Sequence, residues 1–430
     1  MIAEFSPSEL ERLERAADLL FEAEDRLPVL KSINWDRSLA TTFFASGEKE
    51  LPKPVYTPVD PTSTYEQVNA ARALIDGSSP VHDWLKRLAD VTERTAGMLN
   101  AVGTPAFYGF SSALYGSPTT YIADGQNSAL DLAFRLDRHL SDFDEASMRL
   151  DPQVKLSAEE LKLRLDEQLP EHFGKEHVPE VIITADVSAK AAAGKDYIKL
   201  RDDAEFSDLD ADQLLQHEAL VHIATGYNGR NHGRFKVLGE SHPGNAQTQE
   251  GLAVFAEFIT GSIDPRRFRR LANRVIAINM AAEGADFIEI YKFFRENGVS
   301  DVPFEAFESA RRVFRGGTVT GGAPFTKDSV YLSGLVEVHS YLRAAVRCGD
   351  ASLIQLLFIG KIDVADLDAM DLMLEAGLLT RPTIMPPWAR DMRYLVAYLS
   401  YSTFLNQIDI SQVATRYSGL IERARNRSDA

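Results

Sequence analysis

His217-Glu218-Ala219-Leu220-Val221-His222 sets two imidazoles around a carboxylate inside an apolar helical run, and the way this stretch coils decides what the chain can be. On a helix of 3.6 residues per turn, histidines four apart differ by about 40° and reach one metal, whereas five apart they diverge by roughly 140°. A widened turn of the i→i+5 type, a form frequent at functional sites, would return His217 and His222 to one face. The stretch therefore predicts either a distorted helix carrying a metal pair or two unrelated histidines, one in the core and one exposed.

A catalytic zinc takes three protein ligands and keeps one position for water. Downstream, Gln249-Glu250-Gly251-Leu252-Ala253 opens a helical pattern that runs on through Phe255, Phe258 and Ile259. The loop from Gly226 to Gly244 is long enough to bring this second helix back beside the first. Glu250 is the best third ligand, and His232 or His242, inside the loop, could replace it or contact substrate. Glu257, two turns later, reads as a partner of a ligand or as a solvated charge.

The rest of the chain reads as mainly α with a small β-sheet. Apolar residues recur at three and four from Ser8 to Leu30 behind a Ser6-Pro7 start, the signature of a capped amphipathic helix. Four prolines in 49–64 give an extended connection, 65–99 a helical block, and the Gly-, Ser-, Pro- and Tyr-rich 103–120 a structured loop before a helix at 128–139. Val181-Ile182-Ile183-Thr184 and Tyr197-Ile198-Lys199-Leu200 suit strands, which puts a small sheet just upstream of the histidines. Such a sheet serves either packing or the capture of an extended peptide on its edge. Beyond 250 the pattern is nearly all helical except at 315–324, and Met370, Met373 and Trp388 look like helix packing.

At 430 residues the chain exceeds what one growing core usually supports. The expected division is an N-terminal helical region (1–150), a catalytic core (151–345) and a C-terminal helical region packed on it (346–430). With 63 acidic against 46 basic residues the formal charge is −17, which argues against nucleic acid or an anionic membrane as a bulk partner and leaves room for a locally basic cleft. The single cysteine, Cys348, precludes an intrachain disulfide. No leader-like start and no long apolar run are evident, so the cytoplasm is the expected location.

The pairing of His-Glu-x-x-x-His with Gln-Glu-Gly-Leu-Ala resembles the microtubule-associated tyrosine carboxypeptidase family and its bacterial relatives, which are labelled by the QEGLA motif and as modulators of flavohaemoglobin expression. Phe325-Thr326-Lys327-Asp328-Ser329-Val330-Tyr331-Leu332-Ser333-Gly334 extends the likeness, which covers roughly residues 180 to 345; the N-terminal helices fit less specifically. The resemblance implies a zincin-like, zinc-dependent carboxypeptidase. In it His217, His222 and Glu250 hold Zn2+, and Glu218 is the catalytic acid/base. The substrate is a peptide or protein C-terminus, with Tyr or Phe as the released residue; tubulin is not assumed.

A carboxypeptidase must also hold a terminal carboxylate, which a fixed cation does well. Lys327, Arg312 and Arg315 flank the Gly316–Gly322 segment and are the candidates, with Lys327 first. Tyr331, one helical turn beyond Lys327, could donate to a developing oxyanion, and Tyr227 and His242 are rival donors. The glycine pairs lack a phosphate-loop pattern and suit a lid over the cleft. Arg266, Arg267, Arg269, Arg270 and Arg274 read as a solvated helix face or, alternatively, as a basic patch that would suit an acidic peptide tail. Two competing classes are a regulatory or ligand-binding protein that keeps the fold, and a metalloendopeptidase with a cleft open at both ends.

Overall fold

The computed structural model describes residues 5–122, 124–141, 155–185, 187, 190–297, 302–405, 407, 415, 416, 418 and 419. The expected boundary at 150/151 and the first four residues of the chain lie outside them. The architecture is mainly helical with one three-stranded sheet, the α+β class expected.

Ser6 accepts from the Glu9 amide at 3.3 Å and starts the helix Pro7–Glu24, whose Leu13, Ala16, Ala17 and Leu20 are buried. The proline-rich stretch 50–61 is neither helix nor strand, and the helical block that follows resolves into Thr62–Arg72 and Pro80–Asn100. One expectation is corrected: the 103–120 loop contains a helix, Ala106–Tyr115. Its glycine and serines mask a periodic apolar set, of which Phe107 and Tyr115 are buried.

Both expected strands form, as β1 (Glu180–Thr184) and β3 (Tyr197–Arg201), paired in parallel with Val181 opposite Ile198. A third, β2 (Ala191–Ala193), pairs antiparallel on the other side of β3 and forms the edge. Alternation in β3 buries Ile198 and Leu200. They join Val181, Leu161, Leu165 and Leu220 in a small core that seats the sheet on the histidine helix.

The larger core gathers apolar side chains from the N-terminal, central and C-terminal thirds, among them Leu20, Trp84, Phe255, Phe358, Met370 and Met373. Its axis is the crossing of Ala246–Thr260 with Val330–Cys348. There the backbones touch: a Cβ on Gly251 would lie 2.1 Å from the Gly334 carbonyl carbon, and one on Gly334 would lie 2.0 Å from the Gln247 carbonyl oxygen. The glycines of the Gln-Glu-Gly-Leu-Ala and Tyr-Leu-Ser-Gly stretches are thus explained by close approach of two backbones rather than by backbone torsion.

The 315–324 segment, expected as a lid, is hydrogen-bonded to the body of the protein at several points. Gly316 N–H donates to Tyr56 Oη (2.8 Å), Gly103 N–H to the Gly316 carbonyl (2.8 Å), and Gly322 N–H to the Ala281 carbonyl (2.7 Å). A Cβ on Gly317 would strike the Ala323 oxygen at 1.9 Å. The segment is fastened into the body because its small residues let neighbouring chain close over it.

Gly251→Ala is expected to destabilise the protein by about 1–3 kcal/mol, since the added methyl forces the two helices apart. Urea denaturation of variant and wild type measures this, and an unchanged midpoint would mean the crossing is loose.

Candidate active site

Residues Leu215–Ile223 form a π-helix, flanked by the α-helices Asp208–Leu214 and Ala224–Asn231. The wide turn brings the rings of His217 and His222 together with centroids 4.9 Å apart. Of the two forms the spacing allowed, the distorted helix is the one found.

Glu250 arrives from the neighbouring helix Ala246–Thr260, fixed in angle by Gln249, whose Oε1 accepts from Thr225 Oγ1 at 2.9 Å. Glu250 Oε2 lies 3.6 Å from His217 Nε2 and 3.7 Å from His222 Nε2. Its other oxygen, Oε1, accepts from Lys327 Nζ at 2.8 Å. One atom from each of His217, His222 and Glu250 lies within 4.8 Å of the others, a group able to hold a metal ion.

Behind this group stands a buried ion pair. His217 Nδ1–H donates to Glu257 Oε1 at 2.6 Å, and Arg267 grips both Glu257 oxygens at 3.0 and 3.1 Å. Glu257 is wholly buried and bonded to His217, so it is not the solvated charge of the two readings. Its Nδ1 bond leaves His217 Nε2 pointing at Glu250, the orientation a metal ligand requires.

These contacts set the charges. Burial opposes ionisation of Glu250, but Lys327 and the two histidines hold it well below the usual carboxylate range. Burial likewise opposes a charged His217, which the Glu250 and Glu257 carboxylates nevertheless hold well above the usual imidazole value. For Glu257, Arg267 and His217 overcome burial and bring the pKa down to about 2.

The group sits in a cavity of about 940 Å3. Glu218 lines it beside the histidines, and its Oε2 accepts from the Ala193 amide of β2 at 3.1 Å. The edge strand therefore touches the site directly. Lys327, Arg312, Arg315, Tyr331 and His242 also line the cavity. Burial, with Lys361 nearby, pushes His242 down to about 4, so its ring is neutral at ordinary pH.

Several sequence expectations are corrected here. Tyr227 is not among the cavity residues; it packs on the small core with its ring 4.6 Å from that of His177. His232 is no ligand, because its Nε2 is engaged with the Ile359 carbonyl at 2.7 Å. Lys327 is already paired with Glu250, and Arg312 makes two 2.7 Å bonds to Asp328. The arginine run is no solvated face, since Arg267, Arg270 and Arg274 line the cavity. Their spacing of three and four puts them on one face of Pro265–Ala282, a signal the sequence did carry. Lys361, on the same wall as His242, was missed and carried no comparable signal. The cleft is thus locally basic within an acidic protein.

Fold and site together define a mainly helical α+β protein with two histidines and a carboxylate converging at the floor of a cationic cavity. The family described as microtubule-associated tyrosine carboxypeptidase matches residues 41–407, and the chain belongs to it. It is accordingly a hydrolase with carboxypeptidase-type activity. The match reaches well beyond residues 180–345 and takes in most of the N-terminal helices. No curated protein matches the chain. Among the described residues, no helix is long and apolar enough to cross a membrane.

Arg267→Ala would strand the Glu257 carboxylate without its cation and should cost about 3–5 kcal/mol at neutral pH. The folded pKa of Glu257 lies below its ordinary 4.5, so the pair stabilises fully above about pH 4.5 and this contribution is lost as pH falls through about 2. Denaturation curves of variant and wild type should therefore converge on acidification; a constant gap would deny the pairing its role.

Proposed function

We propose that the protein is a zinc-dependent carboxypeptidase of zincin-like type, with His217, His222 and Glu250 as ligands and Glu218 as acid/base. The observation that carries this reading is the convergence of three donors within reach of one another beside a further carboxylate, Glu218, that is not one of them. A tetrahedral zinc with bonds of about 2.0–2.2 Å separates its ligand atoms by roughly 3.3–3.6 Å. The histidine nitrogens lie 3.6 and 3.7 Å from Glu250 Oε2, which supports the fit. Two histidines and a glutamate also form a recognised catalytic zinc donor set, and the Glu257 contact to His217 is of the kind that orients a ligand.

Zinc, when bound, supplies Lewis acidity that polarises the scissile carbonyl and makes water a nucleophile near neutral pH. The remaining steps belong to the chain. Glu218, next to a ligand but not needed as one, takes the proton from the attacking water on its carboxylate and passes it to the leaving amine. The Ala193 N–H fixes that carboxylate on the sheet side. Lys327 keeps Glu250 ionised and presents only its Oε2 to the histidines. Tyr331, lining the same cavity, is the side chain proposed to donate to the oxyanion.

The substrate is a peptide or protein C-terminus, and the basic cavity suits an anionic chain end. A terminal Tyr or Phe is proposed by similarity to the family, whose name specifies tyrosine, and tubulin is still not assumed. The exposed, unpaired Cys348 accords with the proposed cytoplasmic location.

Glu218→Gln should retain zinc and lose turnover by at least about a hundredfold, whereas His217→Ala and Glu250→Ala should lose the metal. Metal analysis with peptides bearing free or amidated C-termini tests this. Unchanged zinc in both ligand variants would sink the site, internal cuts would favour an endopeptidase, and stoichiometric zinc without cleavage a binding protein.

A further inference from the structure

The helix Pro7–Glu24 and the turn after it supply a wall of the cavity that no step of the proposed reaction uses, lined by Phe21, Glu24, Leu27, Val29 and Leu30. All of these residues precede 41, where the family match begins. The wall meets the helix that carries Glu250. Leu27 and Val29 pack with Tyr115 and Ala246 in one apolar cluster. Ala246 stands four residues before Glu250 on Ala246–Thr260, so the two share a face about one 5.4 Å turn apart. Tyr115, Ala246 and Glu250 all line the same cavity. The apolar wall therefore starts one helical turn from the histidine–glutamate group, and it includes Leu30, an apolar side chain left 50% exposed.

Glu24 is set among these apolar side chains, three residues beyond Phe21 on the same helix face. Its buried Oε1 has no hydrogen-bond partner. Thr92, the hydroxyl next to it, donates to the Leu88 carbonyl at 2.9 Å and keeps no proton for it. The last residue of a helix is also the unfavourable end for an acid, since the free carbonyls there carry partial negative charge. Burial pushes the Glu24 carboxyl up to about 7. An acceptor stranded in this way is costly until a donor completes it. The donor that suits it is neutral, because a cation would have to shed its own water and ionise a carboxyl that burial keeps protonated. It must also sit at the tip of an apolar body, to lie against Phe21, Leu27 and Val29. A phenol has both features.

We infer that this N-terminal wall receives the side chain of the residue that is released, and that Glu24 makes it select tyrosine over phenylalanine by accepting the phenol O–H. The inference rests on the carboxypeptidase reading and decides between the two terminal residues that reading leaves open. Tyrosine completes a carboxyl that is otherwise unsatisfied. Phenylalanine fills the same apolar space and leaves that carboxyl stranded against its ring, which is how a site built around one hydroxyl rejects the analogue without it.

The test is calorimetric titration of the full chain, with zinc present, using N-acetyl-L-tyrosine, N-acetyl-L-phenylalanine, N-acetyl-O-methyl-L-tyrosine and Nα-acetyl-L-lysine. Tyrosine should bind at least about tenfold more tightly than phenylalanine. The O-methyl derivative, which has the ring and the oxygen but no proton to give, should lose that advantage. Glu24→Met should bring the tyrosine-to-phenylalanine ratio to about one, while Glu24→Gln, whose amide oxygen still accepts, keeps part of it. Should Glu24→Met fail to fold, the O-methyl comparison in wild type reads the same contact. Equal binding of tyrosine and phenylalanine overturns the inference, as does a ratio that survives Glu24→Met or an O-methyl derivative that binds like tyrosine. Tighter binding of the lysine derivative overturns the assignment to a phenol. Ratios that behave as expected, with no residue released from peptides ending in tyrosine, leave the pocket standing and remove the carboxypeptidase reading. Release of terminal tyrosine and phenylalanine at equal kcat/KM does the reverse.

Discussion

The backbone contact between Gly251 and Gly334 is the constraint on which the rest of the site depends. Glu250 and Glu257 are carried by one of the two crossing helices and Tyr331 by the other, with Lys327 in the short turn that leads into it, and the missing side chains set the spacing of the pair. A methyl at either position would move one carboxylate-bearing helix away from the lysine-bearing segment. The apolar Leu252, Ala253 and Phe255 then press the same helix into the main core, so the placement of Glu250 is maintained by burial over its whole length.

Around this crossing the chain stacks charge in an alternating order. Arg267 holds Glu257, Glu257 holds His217, His217 faces Glu250, and Glu250 meets Lys327. Each buried charge has an opposite neighbour, which is the condition under which such groups survive out of water. The order stops at Asp328, where Arg312 and Arg274 share one carboxylate and Arg315 adds its charge near by. A wall of this kind draws anions inward even though the protein as a whole is strongly acidic.

Much of the fold and of the ligand-like group was legible in the sequence because it was written locally. Five-residue spacing in an apolar run made a widened turn one of two readable forms, and β-branched runs pointed to β1 and β3. The strand β2 was not legible: Ala191-Ala192-Ala193 has no strand preference and is extended only because β3 pairs with it. The helix 106–115 was hidden by its small residues, and the roles of Lys327 and Arg312 by partners far along the chain. Which cation is spent on a neighbour and which is left over is a tertiary property. The arginines at 267, 270 and 274 shared a face in the sequence, but only the fold shows that this face is turned inward.

The π-helix has a consequence for how insertions are tolerated. One additional residue in a regular α-helix rotates everything beyond it by about 100°, which would swing half of a buried helix out of its seat. Here Ala211 and Leu215 at its start and Ile223 and Ala224 at its end all face the same small core. The wide turn absorbs the extra residue where it occurs and passes no rotation to either flank. Four-residue spacing on an α-turn and five-residue spacing on a π-turn are interchangeable ways of stacking two side chains, so the number of residues between such histidines is set by helix type and does not by itself distinguish one chemistry from another.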